Sequence, residues 1–180
     1  MKSKMVAAVI AAVMAMAAHA DDSAANWDVA VSGQAVLGCA ISEKPKHGAT
    51  AVSVTCSRDK VIQEVPLLKK MGMINPEVTQ TQINMMPNLI VMVFALEDAG
   101  LMVHEYFGDH PGVNETAWTV AIDVPDAYGN LHRQTAFRFN FSRALDRRIN
   151  WDNFQPKNLE SVAPRFSWGE WGQEAMTEGQ

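Results

Sequence analysis

Cys39 and Cys56 are the only cysteines in the 180-residue chain, and their spacing limits the chemistry open to them. A redox pair of the common kind is Cys-x-x-Cys, whereas here residues 40–55 intervene. A zinc site needs four ligands at close spacing, and His47 is the only other soft ligand nearby. Between the cysteines, Glu43-Lys44-Pro45-Lys46-His47-Gly48 is polar and turn-forming. Strand-like stretches flank it, Gln34 to Ser42 and Ala49 to Thr55. An antiparallel hairpin with Cys39 opposite Cys56 puts Ile41 opposite Val54, with Leu37 on the same apolar face. The expectation is a structural disulfide against the core, contributing on the order of 3 kcal/mol by closing this loop.

Thioether and imidazole groups offer a second chemistry. Met71-Gly72-Met73 sets two thioethers two residues apart, and thioether sulfur favours Cu(I). Met102 and His104, on an expected strand, share a face and extend the candidate copper-binding set. The plainer expectation is that methionines fill gaps in a core, Met92 within an apolar strand and Met85 and Met86 at a helix end. Hydrolysis has less to start from. There is no Gly-x-Ser-x-Gly elbow, His-Glu-x-x-His, phosphate loop or dinucleotide fingerprint. His104 and Glu105, as strand neighbours, point to opposite faces and cannot pair. No catalytic residues and no cofactor are assigned, and a non-catalytic protein is expected, with a copper-binding protein and a periplasmic hydrolase as the alternatives.

Phe166, Trp168 and Trp171 form an aromatic cluster in PRFSWGEWGQEAMTEGQ. Left free, they would be a costly exposed patch. They either fold back to cap the domain or dock on a protein partner in the cell envelope.

These residues sit in a chain whose start reads as a secretory signal. Residues 1–20, MKSKMVAAVIAAVMAMAAHA, combine Lys2 and Lys4, an apolar run from Val6 to Ala18, and the small-x-small Ala18-His19-Ala20. The run is short of the ~20 residues that span a bilayer, and no later stretch is long enough either. Cleavage after Ala20, a periplasmic or secreted destination and no transmembrane anchor are therefore expected. A formal net charge of −5 without a basic run argues against nucleic acid as a partner.

The elements read mainly as β. Asn88 to Leu96 is apolar on both faces, as in a central strand. Glu97-Asp98-Ala99-Gly100 reads as a turn, and Leu101 to Phe107 as the returning strand. Trp118, Val120, Ile122 and Val124 alternate with polar or small residues. After a turn at residues 125–130, Phe137, Phe139 and Phe141 line one face of another strand. One short helix is expected from Pro76 to Met86, opened by Asn75 and stopped by Pro87. The fold class that follows is a mostly-β antiparallel sandwich or flattened barrel built from hairpins. It occupies residues 21–149, and residues 150–180 form an irregular aromatic tail.

Overall fold

A computed structural model of the protein describes residues 39–46, 49–70, 77–155 and 158–178. The expected signal peptide, the strand residues before Cys39, His47, Met71 and Met73 lie outside the described residues.

Strands β1 (Cys39–Lys46) and β2 (Ala49–Ser57) form the first hairpin. Helices α1 (Arg58–Lys70), α2 (Gln80–Met85) and α3 (Pro87–Asp109) follow. A second hairpin comprises β3 (Glu115–Pro125) and β4 (Leu131–Ser142). Beyond it come α4 (Arg143–Asp146), a 3-10 turn at Trp151–Asn153, α5 (Leu159–Val162), the short β5 (Ser167–Trp168) and α6 (Glu170–Thr177). The strands make one open sheet in the order β1-β2-β3-β4-β5. Every neighbouring pair is antiparallel except β2 and β3, which are parallel. A parallel pair requires a crossover connection, and α1 to α3 lie within it.

This mixed α/β architecture overturns the antiparallel sandwich or barrel. The two strands expected over Asn88–Leu96 and Leu101–Phe107, with their turn at residues 97–100, are one 23-residue helix, α3. Pro87 opens it, in the first helical turn where a missing N–H costs nothing. Fourteen of its residues are buried, among them Val91, Met92, Phe94, Val103 and Phe107, and the stretch from Leu89 to Leu96 is apolar without a break. A helix apolar on every side and a buried strand present the same run of Val, Ile and Leu.

The short helix is shifted as well. Thr79, not Asn75, caps α2: its Oγ1 accepts from the Gln82 N–H at 3.2 Å while Gln82 Oε1 accepts from the Thr79 N–H at 2.7 Å. Helix α1 was not anticipated, because Pro66 lies inside it. The expected irregular tail instead holds β5, paired with β4, and α6, packed on β4 and α3.

The first hairpin has its expected register, although Ile41 is exposed and not on the core face as expected. Cys39 faces Cys56 and Ile41 faces Val54. Trp118, Val120 and Ile122 on β3 and Phe137, Phe139 and Phe141 on β4 are buried on one face of the sheet, beside Val52, Val54 and Cys56. Fully burying each such side chain contributes about 1.5–3 kcal/mol. A register shift between Val120 and Ala121 pairs Val120 with Phe137 but Ala121 with Thr135, leaving Ala136 as the extra residue. On the opposite face, Ala51, Ser53, Thr55, Ala117, Thr119 and Asn140 are exposed or half-buried. Among the described residues the molecule is two layers: helices on one side of the sheet, and on the other no described element.

Candidate functional site

Helix α3 carries every cluster of chemically capable side chains described below, because its length lets it pass the whole sheet. Near its C-terminal end, His104 projects outward and meets Asp146, the last residue of α4. Ser142 caps α4 by accepting from the Leu145 N–H at 3.2 Å, which fixes where Asp146 points. The Asp146 carboxylate is buried and lies 2.9 Å from His104 Nδ1. Trp151 stacks on the imidazole with ring centroids 4.7 Å apart, and its Nε1–H donates to the Asp146 backbone carbonyl. A carboxylate only accepts, so Nδ1 carries the hydrogen and Nε2 presents its lone pair away from Asp146. The half-exposed His104 ring is thus oriented to take a proton from a group on the solvent side.

Two residues further on, Tyr106 donates its O–H to Glu43 Oε2 at 3.0 Å, bridging α3 to β1. His110 stacks on the Tyr106 ring at 4.2 Å. Its Nδ1–H donates to the Tyr106 carbonyl, and its Nε2 is 3.7 Å from Glu43 Oε1. Burial, then the bond to Glu43, pushes the Tyr106 phenol above its ordinary value, so it remains a donor and not a base.

The third cluster lies deepest. Asp98, mid-helix on α3, is 3 % exposed. Burial and then the neighbouring Glu97 push its carboxyl up to about 8. Its Oδ2 is 3.9 Å from Cys39 Sγ, and Oδ1 has no hydrogen-bond partner among the described residues. Cys39 and Cys56 form the expected disulfide, with both residues buried.

No family model matches the chain, and neither does any curated protein or solved structure.

The copper set does not assemble around Met102 and His104. On a helix, residues two apart are turned roughly 200° from each other. Met102 is accordingly buried while His104 faces outward. Met71 and Met73 lie outside the described residues. Among the described residues no group of three or more His, Cys, Asp or Glu is placed to hold a metal ion. Of the aromatic cluster, Trp171 is buried. Phe166 stacks on Phe137 at 5.5 Å, and Trp168 meets Phe137 edge-on and donates its Nε1–H to Glu160.

Sequence reasoning missed Asp98, Asp146, Trp151, Glu43 and Tyr106. Asp98 was absorbed into an apparent turn. One signal for it was available: a helical run from Pro87 to Asp109 puts Asp98 four residues from Phe94 and from Met102, on an apolar face.

Proposed function

We propose that the protein is an exported, non-catalytic binding or accessory component of the bacterial cell envelope. We further propose that the sheet face opposite the helices is where a protein partner docks. The observation that carries this reading is the asymmetry of the two layers. The helices bury one face, while among the described residues the other carries mostly small Ala, Ser and Thr side chains around exposed Ser53, with Arg138 exposed beside half-buried Thr119. A flat surface of this kind suits a protein surface better than a small ligand, which takes a concave site. The expected leader and the Cys39–Cys56 disulfide support the compartment. No described helix is long and apolar enough to cross a membrane.

A photo-crosslinking residue placed at Ser53 or Thr119, and at Gln63 or Gln173 on the helical side, tests the docking face in cells. Adducts to one envelope protein from the sheet positions alone are expected. Adducts only from the helical positions, or none from Ser53 and Thr119, overturn the reading.

The His104–Asp146 pair favours a second reading, a hydrolase with His104 as general base. Hydrolysis of activated esters by the purified protein that disappears in His104→Ala, with the fold intact, would establish it. Equal turnover in both proteins would remove it.

A further inference from the structure

The Cys39–Cys56 bridge and the buried Asp98 form a single chemical unit. A bridged sulfur carries no hydrogen. The 3.9 Å contact between Cys39 Sγ and Asp98 Oδ2 is therefore a hydrogen bond only when the carboxyl is protonated and its O–H donates. Nothing else holds Asp98: Oδ1 is unpartnered among the described residues, and the side chain is 3 % exposed. A buried carboxyl without a partner is costly, and here its one polar contact is a disulfide. Among the described residues Glu97 is the one charged group acting on it. No Lys or Arg of α1, β1 or β2 contributes, and the α1 residues buried in the same core, Val61 and Val65, are apolar.

We propose that Cys39–Cys56 is a thiol–disulfide exchange site and that Asp98 is the proton donor to Cys39. The co-reactant is a dithiol. A thiolate of the dithiol attacks Cys56 Sγ and forms a mixed disulfide. The Cys39–Cys56 bond breaks, its electron pair stays on Cys39 Sγ, and that sulfur takes the proton from Asp98, leaving a carboxylate. The second thiol of the reagent, having lost its proton to solvent, attacks the reagent's own sulfur in the mixed disulfide. It leaves as a cyclic disulfide, and Cys56 takes a proton from solvent. The dithiol is oxidised by two electrons and the bridge is reduced by two. Access follows from the topology. Both sulfurs are buried, but among the described residues β1 is an edge strand, paired on one side only, with β2. Because the bridge ties Cys39 to Cys56, exchange requires the bridged ends of β1 and β2 to open together away from α3.

In the reduced protein the Cys39 S–H donates to the Asp98 carboxylate, which favours the charged form. Reduction by a dithiol then releases one proton overall across the pH range between the two Asp98 ionisations. The test is the redox equilibrium of the full-length protein against dithiothreitol from pH 5 to 9, followed by thiol trapping and mass. In the wild-type protein the ratio of reduced to oxidised protein should rise by about tenfold per pH unit within that window. In Asp98→Asn it should stay flat. Glu97 is also partly protonated at pH 7, so the infrared carbonyl band of Asp98 is the one missing from oxidised Asp98→Asn, and that band should be lost when the wild-type protein is reduced. A wild-type equilibrium independent of pH, or a band unchanged on reduction, overturns the proposal. A merely structural Asp98 would move neither.

Discussion

The carboxylate of Glu178 accepts hydrogen bonds from the backbone N–H groups of Asn88, at 2.9 Å, and Leu89, at 3.2 Å, 90 and 89 positions away in the chain. Its second oxygen accepts from Asn88 Nδ2, and Asn88 Oδ1 in turn accepts from Arg58 Nε. A group just beyond α6 thus caps the N-terminus of α3, where no side chain of the capping residue Met86 does so. Glu178→Ala should lower stability by about 1 kcal/mol, as losing a helix cap does. Urea titration checks this, and an unchanged midpoint would mean the cap is idle.

At the other end of α3, Arg143 serves three backbone carbonyls at once. Its guanidinium donates to Phe107 O at 2.9 Å, His110 O at 2.5 Å and Val113 O at 2.9 Å. It also lies over the Phe107 ring. An ammonium cannot reproduce this planar fork. Arg143→Lys should cost roughly 1–3 kcal/mol, the range of a charge-assisted hydrogen bond. A thermal melt indistinguishable from wild type would contradict that accounting.

Gly172 marks how tightly α6 is seated. A Cβ there would lie 2.1 Å from Ala136 O and 3.1 Å from Met92 Cε. Replacing glycine with alanine inside a helix normally gains about 1 kcal/mol, but this contact requires the helix to move off β4. Gly172→Ala should therefore destabilise the protein, by about 1–3 kcal/mol net. Stabilisation in chemical denaturation would show that α6 is loosely held.

Stability should decline as pH rises. Asp98 in the folded chain titrates at about 8 and Glu97 at about 7, both raised chiefly by burial. In the unfolded chain both lose their protons near pH 4. Between these limits the folded state holds more protons than the unfolded one. Stability is fully present at the acid end, falls by at most about 1.4 kcal/mol per pH unit for each group, and levels off above about 8. Denaturation midpoints from pH 4 to 9 measure the slope, and Asp98→Asn should abolish it above about 7 and roughly halve it below. A midpoint climbing through this range would refute the ionisation assigned to Asp98.

What could be read from the chain divides along one physical line. Period-two alternation survives where one sheet face is wet, so β3 and β4 were legible from Trp118 to Val124 and from Phe137 to Phe141. The cysteine spacing fixed the register of the first hairpin. α3 was not legible because its first half, Leu89 to Leu96, is apolar without a break, and two carboxylates at its centre imitated a turn. Only the tertiary fold brings His104 to Asp146, 42 positions away, or Asp98 to Cys39, 59 positions away. No local spacing could have announced either pair.

The parallel seam between β2 and β3 also sets an order of assembly. Residues 58–114 must be threaded before Val54 can lie beside Val120, whereas each hairpin joins strands that are near neighbours in sequence. Closing so long a connection carries an entropic cost that neither hairpin bears. As the chain lengthens, β1, β2 and both cysteines are complete before any residue of β3 exists. The covalent link can thus be in place before its eventual neighbour Asp98 arrives. The slow event in folding is then the meeting of two preformed halves along one edge each, with α3 wedged between them and solvent.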